Sequence, residues 1–232
     1  MNILQLSLDS TLLNEATAIG GEARRRQLTY AEELRRRVPG SRLFIVVRSA
    51  RGIGEVGRSE SLLEGLDIHS APASALGFVA AAYRYGRALS RQYGLDLVTS
   101  QTPFIDGLAG WLLRSRCNTK WLVQLHTSRL DNPYWLAESH ANGVRAWLGK
   151  LVLRHADAVR VVSQSAAGWL QQTLGVPQER VFVVPVGTAL PFAPGGEDPR
   201  SGRDAVAAGP AGARRPTGEY LTARRAKDGT KG

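Results

Sequence analysis

The chain has 232 residues, 43% of them hydrophobic and 22% charged, which allows one large globular core or two small ones. Its single cysteine, Cys117, excludes an internal disulfide framework and a cysteine-based zinc site, and points to a reducing compartment. A formal net charge of +10, carried mainly by arginine runs such as Arg24-Arg25-Arg26, Arg35-Arg36-Arg37 and Arg224-Arg225, favours polyanionic partners without choosing among nucleic acid, anionic lipid and nucleotide diphosphate.

Residues 1–9 have neither a basic leader nor a long apolar core, so they read as a first strand rather than a signal peptide. The longest apolar stretch, around Ala75 to Tyr83, is about half of the ~20 residues that cross a bilayer. The expected location is cytoplasmic, with peripheral membrane contact as its variant. Strand one covers Ile3 to Leu8, and the loop after it reaches Ile19-Gly20-Gly21. From Glu22 to Val38, Leu28, Ala31, Leu34 and Val38 recur at helical spacing while Arg24, Arg25, Arg36 and Arg37 fall largely elsewhere. Pro39-Gly40 ends that helix. Leu43 to Val47 is strand two, and Leu66 to Ser70 a weaker strand three.

A helix is expected over Ala73 to Tyr93, stopped by Gly94, then strand four over Leu95 to Ser100. Phe104 to Arg114 reads as helix and Lys120 to His126 as strand five. Asn132-Pro133 opens a helical region that runs to Arg154 with a break at Gly143. Within it, Trp147, Leu148, Leu151 and Val152 lie near Arg145, Lys150 and Arg154, a pattern that packs on a core or rests on anionic lipid; the need to cover a sheet favours the core. Val159 to Val162 is a short β-branched strand, followed by Ser163 and Ser165 as candidate N-caps for a helix over Ala166 to Thr173. Gly175 and Pro177 end it, and Arg180 to Val184 supplies the next strand. Strand, capped helix, Gly/Pro break and strand make a βαβ unit, and the alternation along the chain predicts an α/β, Rossmann-like, doubly wound parallel sheet. After Pro191 the residues are dominated by Gly, Ala, Pro and Arg, so 1–190 is expected to be the domain and 191–232 a disordered tail.

Ligands of such sheets bind at the carboxyl ends of the strands, which selects a few residues. Gly20-Gly21 lets backbone approach a phosphate beside the free N–H groups of a helix start; the competing reading is a turn that needs positive φ. His126 ends strand five, where a neutral imidazole both donates and accepts a hydrogen bond and suits a sugar hydroxyl; a lone histidine is more often structural. Gln101, Thr102 and Pro103 follow strand four and can line the same cleft. Ser163 follows the Val159 strand, and a helix cap is its simplest role. Gly52-Ile-Gly54-Glu-Val-Gly57 fits a dinucleotide pattern, but it follows the second strand, leads into no strong helix, and Asp67 comes too early to read a ribose. No Asp-x-Asp pair, Gly-x-Ser-x-Gly elbow or Gly-x-x-x-x-Gly-Lys-Ser/Thr loop occurs, and no metal site is expected.

Ala156-Asp157-Ala before a strand and Val162-Ser163, then Leu174-Gly-Val-Pro177, then Val183-Val184-Pro185-x-Gly187, together resemble the end of the N-terminal domain of family 4 glycosyltransferases of GT-B fold. The resemblance runs back to residue 1 and fades near Pro194, so it covers the first half of such an enzyme. It implies a retaining transfer of sugar from a nucleotide sugar to an acceptor hydroxyl of a glycan, lipid or small molecule, with no cofactor or required metal. It places Gly20 and Gly21 near the diphosphate, His126 near the donor sugar and the reacting centre, and Ser163 near the cleft; Thr127, next to His126, and Gln101, by its strand-end position, complete the candidate substrate contacts. Val186 stands where the family usually has asparagine, and neither the Glu-x7-Glu motif nor a second nucleotide-holding domain is present. The resemblance therefore implies a fragment or a shifted reading frame, inactive alone. The alternatives are a non-catalytic subunit of a split GT-B enzyme completed by a second chain, a dinucleotide-dependent oxidoreductase using Gly52 to Gly57, and, third, a basic nucleic-acid binder. Nucleic acid is not an expected partner.

Overall fold

Short apolar runs bounded by Gly, Pro or polar residues form the strands. In a computed structural model, which describes residues 1–13, 18–50, 56–126, 130 and 132–185, these are β1 (Asn2–Ser7), β2 (Arg42–Arg48), β3 (Ser59–Leu63), β4 (Leu66–Ala71), β5 (Leu97–Ser100), β6 (Lys120–Leu125), β7 (Ala158–Val161) and β8 (Val181–Val183). Helices α1 (Ala18–Arg37), α2 (Ala75–Tyr93), α3 (Ile105–Cys117), α4 (Pro133–Ala137), α5 (His140–His155) and α6 (Gln164–Leu174) connect them. The strands form one sheet in the order β3-β4-β2-β1-β5-β6-β7-β8, parallel throughout except for the β3–β4 pair. This is the expected α/β, Rossmann-like arrangement, with an antiparallel strand added at one edge.

Side-chain alternation divides the core between the two faces of the sheet. Leu4, Leu6, Phe44, Val46, Val98, Trp121, Val123, Val159 and Val161 face α2, α3, α5 and α6 in the larger cluster. Leu43, Ile45, Val47, Leu66 and Ile68 face Ala23 and Ala31 of α1 in the smaller one. The chain moves one way from β1 to β2 and the other way from β4 through β5 to β8, and right-handed crossovers then put α1 alone on the second face.

Four expectations need correction. β3 was not predicted: Ser59-Glu-Ser-Leu-Leu has weak strand propensity, and it pairs because Gly65, at φ +83°, turns the chain back onto β4. The helical break falls at Glu138-Ser139 rather than Gly143; Ser139 accepts from the Ala141 N–H at 3.2 Å and starts α5, and Gly143 lies inside that helix. α1 begins at Ala18, so Gly20 and Gly21 are helical residues of its first turn and not a loop. Arg24 is buried: its Nε donates to the Leu12 carbonyl at 2.8 Å and its terminal nitrogens reach Glu60 at 3.1 and 3.2 Å. Arg25, Arg36 and Arg37 are exposed, the last two on Glu33.

On α5, Val152 is fully buried and Leu148 packs on the core, while Val144 and Trp147 stay exposed on the outer side with Arg145. Core packing thus accounts for half of that pattern. Among the described residues no helix is long and apolar enough to cross a membrane. Residues 186–232 lie outside the described residues, as do the expected tail and Val186.

The Ala156-Asp157-Ala motif has a packing role. Ala156 is fully buried, and Asp157 receives Arg114 Nε and Nη2 at 2.8 and 2.7 Å and the Trp121 N–H at 3.0 Å. One carboxylate joins α3, β6 and the turn into β7. The Arg114 bonds chiefly hold it below its ordinary pKa.

Candidate functional site

The strand order reverses between β1 and β5, and the crevice beyond their carboxyl ends is where such sheets hold ligands. Two hydrogen bonds span it. Ser7 Oγ donates to Gln101 Oε1 at 2.7 Å, and the Gln101 N–H donates to the Leu6 carbonyl at 3.2 Å. Ser7 is fully buried, so this bond fixes the amide plane of Gln101. The Gln101 amide NH2 has no protein acceptor among the described residues and remains a donor for a ligand.

The loop that carries Gln101 is pinned from below. Asp106, completely buried in the first turn of α3, accepts the Thr102 N–H at 2.7 Å and also bonds the Thr102 hydroxyl. Its main-chain carbonyl accepts from Ser100 Oγ at 3.0 Å, which in turn accepts the Trp121 indole N–H at 3.1 Å. Burial pushes the Asp106 carboxyl up to about 7, against the lowering effect of its Thr102 bonds. The folded state therefore holds this proton to higher pH than the unfolded chain, whose ordinary value is 3.8. Stability contributed by this group is complete below the lower value, falls as pH rises between the two, and is level above the higher. Asp106→Asn, which cannot ionise, is expected to remove up to about 4 kcal/mol of that pH dependence. Urea unfolding at pH 5 and pH 8, a window that holds about 3 kcal/mol of it, checks it: an unchanged difference between the two would refute the assignment.

His126 follows β6 directly, one strand beyond Gln101. The residue is exposed, but neighbouring protein desolvates its ring, and that effect together with the Arg160 charge lowers its pKa. The imidazole is accordingly neutral at pH 7, and it makes no hydrogen bond among the described residues. Arg160, on β7, donates to Gln124 Oε1 at 3.0 Å, and Gln124 Nε2 donates to Thr99 Oγ1 at 3.3 Å, forming a polar line across three strands.

Ser163 follows β7 and caps α6, accepting the Ala166 N–H at 3.2 Å; Ser165 lies within the helix. Its hydroxyl proton is left to donate outward. Gly20 and Gly21, in the first turn of α1, lie where a helix following β1 starts at the same edge, with N–H groups that an α-helix leaves unpaired. Thr127 and residues 51–55, which include Gly52 and Gly54 of the dinucleotide-like pattern, lie outside the described residues. Three of the selected side chains, Gln101, His126 and Ser163, therefore end adjacent strands β5, β6 and β7.

Of the other histidines, for which no role was assigned, two have partners inside the fold. His69 stacks on Tyr85 at 4.1 Å and bonds Ser59 Oγ at 2.8 Å; His155 stacks on Trp111 at 4.8 Å and bonds the Leu151 carbonyl at 2.8 Å. His140 begins α5. Among the described residues no group of three His, Cys, Asp or Glu side chains is placed to hold a metal.

Sequence reasoning missed Ser7, Asp106, Arg160 and Arg48. Arg160 carried a signal, since an arginine inside the run Ala158-Val-Arg-Val-Val must find polar partners when the strand is buried. Arg48 ends β2 and lines a cavity of about 480 Å³ with Leu8, Ser10, Ser49, Ala50, Ala73 and Ser74, at the carboxyl ends of β1, β2 and β4.

The same fold occurs in sucrose-phosphate synthase from Thermosynechococcus elongatus, with 19% identity and a TM-score of 0.60 over 81% of this chain and 48% of that one. Anabaena HepE, solved in complex with UDP and glucose, aligns at 18% identity and TM-score 0.49 over 81% and 45% of the two chains. The UDP-GlcNAc 2-epimerase from Methanocaldococcus jannaschii aligns at 11% and 0.48 over 79% and 45%. The chain thus spans about half the length of each of these structures. Identities this low show the fold alone. A search of curated protein sequences gives no match. The family model of the Glycosyl transferase 4-like domain does match, over residues 21–187, from the first turn of α1 past β8. By that match, and by a Rossmann-like sheet of the GT-B type, the chain belongs to the glycosyl transferase 4-like family.

Proposed function

We propose that this domain forms the acceptor side of a retaining glycosyltransferase that moves a sugar from a nucleotide sugar to an acceptor hydroxyl. The observation that carries the reading is the row of Gln101, His126 and Ser163 at the ends of β5, β6 and β7, beside the reversal of strand order, in a chain of this family. In this reading His126, neutral, contacts the donor sugar as charge builds at the anomeric carbon. Gln101 presents its amide NH2 to a hydroxyl, Ser163 and Thr127 line the cleft, and the N–H groups at Gly20 and Gly21 face the diphosphate.

Chemistry of this kind needs groups on both sides of the transferred sugar, and a single sheet edge supplies one side. We propose accordingly that the 232-residue chain alone has no turnover. The assay uses the purified chain with a panel of sugar nucleotides, following both transfer and donor hydrolysis, with the anomeric configuration of any product read by NMR. Turnover by the chain alone refutes its inactivity; an inverted product refutes the retaining mechanism. Activity that appears only on addition of a second chain favours the split-enzyme alternative, in which this chain is the binding subunit.

A further inference from the structure

Arg48 gives the cavity at the ends of β1, β2 and β4 its cationic group. Its Nε donates to the Ala73 carbonyl at 2.6 Å, which fixes the guanidinium plane and leaves both terminal nitrogens for other acceptors. Among the described residues no carboxylate pairs with it, whereas Arg24, Arg35 and Arg114 are paired with Glu60, Glu64 and Asp157. The remaining polar groups of the lining are hydroxyls. Ser74 Oγ accepts the Gly77 N–H at 3.2 Å and keeps its own proton to donate, Ser49 Oγ shares a bond of 2.8 Å with Ser70 Oγ, and Ser10 adds another. The neighbouring acid, Asp9, has Oδ1 engaged by the N–H and hydroxyl of Thr11 at 3.1 and 2.6 Å. A fixed guanidinium fork with hydroxyl donors and, among the described residues, no counter-ion suits a ligand rich in acceptors and negatively charged.

We infer that this cavity takes the anionic group, a phosphate or a carboxylate, of the acceptor substrate. The word acceptor rests on the transferase reading. Arg48 ends β2 and His126 follows β6, three strand spacings away, or ~14 Å at ~4.8 Å each. The transferase reading gives the diphosphate of the donor to the N–H groups of Gly20 and Gly21, which leaves the Arg48 guanidinium for a second anionic group, that of the acceptor. An acceptor that extends along the strand ends spans the distance from one residue to the other. The anionic group would anchor the far end of the acceptor and leave the hydroxyl end at the reacting centre.

The test is an NMR titration of the 232-residue chain with inorganic phosphate and, separately, with acetate, following the backbone amides of Ser49 and Ser74. Saturable shifts are expected for at least one anion, with a dissociation constant on the order of 1–10 mM, and the stronger of the two identifies the phosphate or the carboxylate class. Arg48→Gln is expected to weaken binding about tenfold or more, with the dispersed spectrum showing that the variant folds. Ala50→Leu, which fills the cavity and leaves Arg48 in place, is expected to do the same should Arg48→Gln lose its fold. Shifts that fail to saturate for both anions, or saturate unchanged in the folded variants, overturn the proposal. Neither donor nor turnover is needed, so the two readings fail separately: saturable binding at Arg48 in a chain whose complete enzyme transfers no sugar refutes the transferase alone, and transfer without anion binding refutes the anion site alone.

Discussion

In a complete two-domain enzyme that carries this domain, His126→Ala is expected to lower turnover by about two to three decades, the rate equivalent of about 2–4 kcal/mol of lost transition-state contact. Folding stability should hardly move, because the side chain is exposed and holds no hydrogen bond among the described residues. That separation distinguishes a residue that touches substrate from one that props the fold. His126→Asn keeps a donor and an acceptor near the same place and is expected to recover part of the loss. Desolvation and the Arg160 charge lower the imidazole pKa from its ordinary value, so the wild-type rate should stay level through neutrality and fall only as the ring protonates in acid. Steady-state kinetics beside a urea melt decide the matter: unchanged turnover in the alanine variant would sink the role assigned to His126.

Gly110→Ala is expected to destabilise the domain by about 3 kcal/mol, although alanine is the better helix former by ~1 kcal/mol. A Cβ added at Gly110 would meet Ser100 Oγ at 2.6 Å and the indole Nε1 of Trp121 closer still. Both atoms belong to the buried relay from Trp121 through Ser100 to the Asp106 carbonyl, and neither is the end of a flexible chain. Moving the indole breaks its hydrogen bond to Ser100 Oγ in a fully buried site, which adds ~1–3 kcal/mol for an unpaired donor. Gly168→Ala is the control, since α6 leaves open space there and nothing lies within 4 Å of the added carbon. It should gain ~1 kcal/mol. Opposite signs in denaturant midpoints are the expected result; two stabilised variants would mean that α3 shifts away from the sheet at little cost.

Much of the sheet could be read from the residues because its parallel strands are buried on both faces and spell short apolar runs. Leu43 to Val47 and Val159 to Val162 are such runs, and glycine and proline mark several of their boundaries. β3 was illegible because Ser59-Glu-Ser-Leu-Leu is a strand only through its turn and its partner. The start of α1 was misplaced because Gly20-Gly21 looks like a breaker, and the tertiary contact of Ala23 and Ala31 with the sheet outweighs that local preference. At the site, the strand-end positions of Gln101, His126 and Ser163 followed from the pattern alone. The supports did not: Ser7 and Gln101 are 94 residues apart, and nothing local in either segment announces the other. Arg48 was passed over for the same reason, since a cavity is made by three strand ends that the sequence keeps apart.

The strand order also governs how the molecule can assemble as it is made. β1 pairs with β2 and, through it, β4, all within residues 2–71, so half a sheet with α1 on its face can close before β5 has been synthesised. Each later strand then joins the one before it, β6 on β5, β7 on β6 and β8 on β7, along a growing edge. One pairing breaks this succession. Ile3 of β1 must wait for Leu97 of β5, and closing that span costs about 1 kcal/mol more chain entropy than joining Leu97 to Lys120. The seam where two separately nucleated halves meet is the same line, β1 against β5, that Ser7 and Gln101 bridge. Candidate crevice and assembly seam coincide, so on the proposed function a change that loosens this pairing is expected to act on biogenesis and on recognition together.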